Sequence, residues 1–289
     1  MANRRVLVKR RKSIRNIRKI TRTMQLIATA RFQAAYNRAV ASKPYTEKLA
    51  ELVADLSRAG ELQHPLLASH NPDAPAALVV VSSQRGLCGG YNANVLRAAQ
   101  GFVEGRTKEG KATELHVFGK KGIAYFKFVR QAMADQNTSV SDMPRFEQVE
   151  AAANSLMAAF LAGKISSVHV AYMRFYSAGR QRPEVTQLLP LVQAPTAGEA
   201  KARSVEYEFL PEPQQLLHQL LPATVRVRFF QAFIDAAVSE QIARMAAMKA
   251  ATDASEDMIK TLTRRYNRAR QTAITMELLD IVGGANALA

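Results

Sequence analysis

The stretch VVVSSQRGLCGGYN, residues 79–92, ends an apolar β-branched run in a glycine-rich turn, the local pattern with which many nucleotide sites begin. The chemistry on offer there is phosphate binding by backbone amides at the start of a helix. The glycines are spaced Gly86-x-x-Gly89-Gly90. A dinucleotide fingerprint needs G-x-G-x-x-G and an acid near the end of the second strand, where this chain has Gly119-Lys120-Lys121. A P-loop needs G-x-x-x-x-G-K-[ST], and Tyr91 stands where its second glycine belongs. Both motifs fail. What remains is a tight strand-to-helix turn, read either as purely structural or as holding an anion on its amides.

Other reactive side chains are sparse. Cys88 is the only cysteine, which excludes an intramolecular disulfide and fits a reducing compartment. As a nucleophile it lacks any neighbouring base in sequence, so a buried small residue is the better reading. The five histidines (His64, His70, His116, His169 and His218) show no metal-ligand spacing. Glu256 and Asp257 fall on an amphipathic segment and read as solvated surface. No catalytic residue, no metal ligand and no cofactor site is expected.

The elements that position these residues follow from how glycine and proline are distributed. Except for Gly283 and Gly284, every glycine lies between Gly60 and Gly198, and no proline follows Pro222. Residues 223–282 therefore contain neither breaker, and as one helix they would run about 90 Å at 1.5 Å per residue. Ile259, Leu262, Tyr266, Ala269, Ala273 and Met276 follow a 3-4 spacing, the seam of a supercoiled helix. Ile17, Ile20, Met24 and Ile27 repeat that spacing near the other end, with Pro44 as a possible kink. Two such stripes most simply pair antiparallel.

Between them the grammar changes. AALVVVSS (76–83), ELHVFG (114–119) and SSVHVAYMRFYS (166–177) read as strands, with helices expected over 94–105, 120–133 and 145–161. RPEVTQLLPL (182–191) reads as a hairpin return. The expected fold is α+β overall: a long antiparallel two-helix coiled coil from residues 1–58 and 212–289, with a small Rossmann-like α/β domain over 75–210.

Charge adds a direction. The formal net charge is +16, and residues 1–46 hold thirteen Lys/Arg and no acid. Such an arm suits an acidic partner (nucleic acid, anionic lipid or an acidic protein surface), with a solvated helical face as the plain alternative. No apolar run approaches the length of a membrane span. The Arg-rich start shares its composition with a transit peptide, but its charges recur through Arg22, so it is read as part of the mature chain.

Three segments resemble the gamma subunit of F-type ATP synthases: IRKITRTMQLIATARF (17–32), SSQRGLCGGYN (82–92), and residues 239–285 from SEQIARMAAMKAATDASEDMI to YNRARQTAITMELLDIVGGA. The likeness implies a coiled coil seated in a ring of three alpha and three beta subunits, and a foot on the epsilon subunit and the membrane c-ring. It places the nucleotide sites on alpha and beta, so no direct nucleotide binding is expected here. Arg85, Gly86, Leu87, Cys88, Gly89 and Gly90 become a signature turn of the foot. Arg270 and Gln271 match polar positions that hydrogen-bond a catalytic-subunit loop. Met24 matches the position facing an acidic beta-subunit segment, with Lys19 and Arg22 as companions by position and sign. Gln84 departs from the acid usual in the family, residues 4–12 are more basic than usual, and the paired cysteines of the chloroplast type are absent. The implied location is peripheral, on the cytoplasmic face of a bacterial inner membrane.

Two other classes compete. A nucleic-acid-binding protein would use the basic arm, but Ile14, Ile17, Ile20, Met24 and Ile27 interrupt that face with a stripe that needs a partner. A reductase on the α/β domain is disfavoured by the failed glycine motif.

Overall fold

The computed structural model describes residues 4–58, 64–68, 71–191 and 213–288. Of the expected segments, 192–212 and the extreme termini lie outside the described residues. Among the described residues, five helices and five strands follow in the order α1 (Arg4–Arg58), β1 (Ala76–Val81), α2 (Tyr91–Lys108), β2 (Thr113–Phe118), α3 (Lys120–Phe128), β3 (Asp135–Asn137), α4 (Phe146–Leu161), β4 (Ser167–Ser177), β5 (Arg180–Leu189) and α5 (Pro213–Leu288), with a 3-10 turn at Pro65–Leu67. No helix among the described residues is long and apolar enough to cross a membrane. The chain forms two compact units, residues 31–243 and residues 1–30 with 244–289.

In the larger unit the strands lie in the order β3-β2-β1-β4-β5, with β1 to β4 parallel and β5 returning antiparallel from β4. All six residues of β1 are buried, as a central parallel strand covered on both faces requires. On one face Leu78, Val80, Leu115 and Val117 meet Val95 and Ala99 of α2 and Phe126 of α3. On the other, Ala77, Val79, Val168 and Val170 meet Val149 and Phe160 of α4 and Leu221, Phe229 and Phe233 of α5. Residues 31–58 of α1 lie along α5, with Ala35 and Ala39 against Ile234, Val238 and Ile242.

Element ends differ from the sequence reading for visible reasons. The expected helix over 120–133 stops at Phe128, because Arg130 turns left-handed (φ 56°) and Gln131 N–H closes on the Phe126 carbonyl at 2.9 Å. α5, by contrast, starts at Pro213, within a residue of the expected 212, and runs through Pro222. Burial of Leu217, Leu221 and Val225 in the core holds that stretch helical despite the missing donor.

In the smaller unit, residues 4–30 of α1 run antiparallel to α5 from residue 244, and the α5 residues from Ile274 to Asn286 are exposed. Thr252 Oγ1 donates to Thr21 Oγ1 at 2.8 Å, Arg18 reaches Glu256 at 3.8 Å, and the Arg11 guanidinium sits 5.0 Å from the Tyr266 ring centroid. Here the expected α1 seam needs correction. Ile17, Ile20 and Ile27 are 45%, 58% and 49% exposed, and Met24 is half-buried. The packed side is instead Leu7, Arg11, Ile14, Arg18, Thr21, Gln25 and Ala28, also spaced 4-3-4-3. The helix carries two stripes of one period, and the smaller side chains let α5 approach while arginine stems pack with their heads outward. On α5, Leu262 is buried, Ile259, Tyr266, Ala269 and Ala273 are half-buried, and Met276 is exposed.

Candidate functional site

The signature turn is built by the strand it ends. β1 gives way at Val81 to Ser82, whose hydroxyl donates to the Phe118 carbonyl at 2.7 Å and accepts the Gly122 N–H at 2.8 Å. Gly119 has φ 97°, and a Cβ there would lie 2.1 Å from the Ser82 carbonyl oxygen, so only glycine fits. Ser83 closes the turn: its hydroxyl donates to the Arg85 carbonyl at 2.6 Å, and its N–H donates to Asn92 Oδ1 at 3.0 Å. Leu87 and Gly89 take φ 63° and 56°, and Leu87 points outward. Cys88 is 2% exposed, with Asn92 Nδ2 at 3.2 Å from Sγ. Gln84 Nε2 donates to the Thr138 and Val140 carbonyls at 3.2 and 2.8 Å, bonds a carboxylate could not make.

In doubly wound sheets a nucleotide sits beyond the carboxyl ends of the strands, where the strand order reverses. The reversal here lies between β1 and β4, on the side of the turn just described. The crevice is filled from within the chain. Phe233, Ala236, Ala237 and Glu240 of α5 lie over the carboxyl ends of β1 and β2, against Val81, Ser82, Phe118 and Gly119, leaving about 30 Å³ there. That volume suits a water or two. The Ser239 hydroxyl fixes the plug by donating to the Met173 carbonyl at 3.2 Å. The turn therefore joins elements at a place already occupied by protein.

The titratable groups do not converge. His169 stacks on Phe102 at 4.7 Å, and burial, with Arg106 nearby, pushes its pKa down to about 4. His64 stacks on His218 at 4.8 Å, and its pKa is lowered by burial and by that neighbour. Among the described residues no group of three or more His, Cys, Asp or Glu could hold a metal. Glu256 pairs with Arg18 and Asp257 with Lys260.

The polar positions singled out in sequence sit on the smaller unit. Lys19 and Arg22 are exposed on α1, where Arg22 donates to Gln25 Oε1 at 3.0 Å. With Arg18, Thr23, Asp253 and Glu256 they border a groove of about 550 Å³ between the two helices of that unit. Arg270 and Gln271 are exposed on α5, past the Leu262 turn and toward the helix end. The outward face of this helix pair is thus mixed: large apolar side chains at Ile17, Ile20 and Ile27 alternate with cations. A surface of that kind is what a protein partner covers.

Sequence reasoning missed Asp142. It lies in the segment between β3 and α4, its side chain 13% exposed, and its Oδ2 accepts from Arg31 Nη1 at 2.7 Å, with Arg85 Nε at 3.7 Å. Nothing local marks it, because the three groups are brought together only by the fold.

The sequence profile of the family described as ATP synthase matches residues 3–288. The ATP synthase gamma chain of Rhodopirellula baltica is 42% identical over 294 residues, covering all of this chain and 99% of that one. That of Frankia casuarinae is 41% identical, covering 97% and 96%. Among solved structures, a chain of the Euglena gracilis mitochondrial ATP synthase (OSCP, F1 and c-ring, rotational state 3) superposes with a TM-score of 0.66 at 17% identity, covering 99% of this chain and 94% of its own. A chain from the rotor of the same synthase gives 0.61 at 16% identity, covering 94% and 98%.

Proposed function

The chain belongs to the ATP synthase gamma family, and on that footing we propose that it is the central rotor shaft of a membrane-bound rotary ATP synthase. It couples transmembrane ion flow to ATP synthesis and hydrolysis at sites carried by alpha and beta subunits, and it supplies no catalytic group of its own. Its partners are three alpha and three beta subunits around one copy of the chain, the epsilon subunit, and the membrane c-ring. The assembly sits on the cytoplasmic face of a bacterial inner membrane. The nucleic-acid reading finds no support in these likenesses.

One observation carries the reading: the helix pair of the smaller unit turns Ile17, Ile20 and Ile27, with cations between them, outward. A self-sufficient helical pair would do the reverse. Residues 1–58 and 212–289 serve as the shaft and 75–210 as the foot. Lys19 and Arg22, with Met24 beside them, face an acidic surface of a beta subunit, and Arg270 and Gln271 hydrogen-bond a loop of a catalytic subunit. Exposed ion pairs contribute only about 0–1 kcal/mol each, so several can orient a turning shaft without locking it. Because one asymmetric shaft contacts three equivalent sites unequally, each site takes a different affinity at any instant.

The test is reconstitution. Mixed with alpha and beta subunits, the chain is expected to co-purify as one copy per hexamer and to raise ATP turnover. Arg270→Ala is expected to lower coupled turnover while the isolated chain keeps its melting temperature. Failure to assemble, or unchanged ATP synthesis by Arg270→Ala, removes respectively the assignment and the role given to that residue.

A further inference from the structure

Apolar contact between α1 and α5 in the larger unit joins Ala35 and Ala39 to Ile234, Val238 and Ile242, with Phe32 and Phe230 packed against them. Such contact is non-directional and leaves a helix free to roll or slide by small amounts. Directional bonds must fix where α1 lies on the sheet. The strongest candidate is the Arg31–Asp142 pair at 2.7 Å, short for a charge-assisted bond and partly shielded from water.

Asp142 is itself held. Gln84, at the end of β1, donates to the Thr138 and Val140 carbonyls and accepts the Lys120 N–H at 3.4 Å. The Ser141 hydroxyl donates to the Met143 carbonyl at 2.6 Å, and Gln148 Nε2 of α4 donates to the Ser139 carbonyl at 3.3 Å. A continuous set of bonds thus runs from the carboxyl end of β1, through Gln84 and the 138–142 segment, to Arg31 on α1. Arg85 of the signature turn adds its guanidinium to the same carboxylate oxygen at 3.7 Å.

We propose that Asp142 is a positioning residue for energy coupling, holding α1 at Arg31 against the carboxyl edge of the sheet so that load on the helix passes to the foot. The proposal rests on the rotor reading above and gives the signature turn a task, since Gln84 and Arg85 support the carboxylate that bears the load. Ion pairs of this kind set register more than they add stability. Removing it should loosen the joint and leave the fold standing.

The experiment uses the complete synthase in inverted membrane vesicles, carrying Asp142→Asn, Arg31→Gln, both together, or Arg31→Lys. Ions transported per ATP hydrolysed is the quantity read, with assembly and hydrolysis rate as controls. The expected result is a ratio lowered by about half in either neutralised variant, no lower in the double variant, and near the unaltered value in Arg31→Lys, as coupled partners require. An unaltered ratio in both single variants, or losses that add in the double, overturns the proposal. A second measurement does not depend on assembly. Spin labels on Ala34→Cys and Gln136→Cys in the full chain should give a broader distance distribution when Asp142→Asn is added, and an unchanged width also overturns the proposal. If the unaltered chain itself fails to couple, the rotor reading falls first, and the label widths still decide the joint.

Discussion

His169 and Asp235 are both largely out of water, and burial moves their protonation in opposite senses. The neutral imidazole of His169 is favoured, with its pKa lowered from 6.5 to about 4 by burial and by Arg106. The protonated carboxyl of Asp235 is favoured, raised from 3.8 to about 6 by burial, against the hydrogen bond from Gln231 and the charge of Arg174. For His169 the unfolded chain binds the extra proton, so its contribution to stability is complete above pH 6.5 and is lost as pH falls toward about 4. For Asp235 the folded chain binds the extra proton, so its contribution is complete below 3.8 and is lost as pH rises through about 6. The two partly cancel between about pH 4 and 6. Urea midpoints across that window should therefore rise more steeply with pH in Asp235→Asn than in the unaltered chain, and less steeply in His169→Gln. Parallel curves for all three would show that neither shift exists.

At the scale of elements, the register of α1 decides what the chain keeps for itself and what it offers to others. Ile20 is on the outward stripe and Ala28, 1% exposed, is on the packed one. Ile20→Ser should change the stability of the isolated chain by no more than about 0.5 kcal/mol, since it removes no internal packing. Ala28→Leu should cost about 1–3 kcal/mol by forcing the helices apart. Denaturant unfolding of the two variants distinguishes them, and the reverse order would restore Ile17, Ile20 and Ile27 to the seam. In the reconstituted complex the ranking should change, because Ile20 then meets a partner surface and its loss weakens assembly.

For the molecule as a whole, the decisive feature is that α5 occupies the crevice its own sheet creates. Phe233 packs edge-on against Phe118 at 5.1 Å and against Phe229 at 5.1 Å, so the plug is part of the core and not a lid. Opening it would expose several fully buried aromatic and aliphatic groups, each worth about 1.5–3 kcal/mol. Calorimetric titration of the isolated chain with Mg-ATP or a nicotinamide dinucleotide should accordingly show no saturable site tighter than about 1 mM. A micromolar site would mean that the turn binds anions after all and would revive the dinucleotide reading. The same plug joins residues 31–58 of α1 and 213–243 of α5 to the sheet in one compact unit.

Features that depend on local order are legible in the residues alone. Strand runs such as Ala76–Val81 are apolar without alternation because both faces are covered, and the glycine spacing of residues 86–90 matches neither nucleotide motif. The C-terminal stripe of Ile259 to Ala273 was equally legible, since it is the main apolar period on its segment. Only the folded chain settles which of two equal-period stripes on α1 is inside, and that Asp142 meets Arg31 across 111 positions of sequence. Each of these turns on the partner that a face encounters. A period of 3.5 residues fixes that a helix has sides, but only the surface packed against it fixes which side is buried.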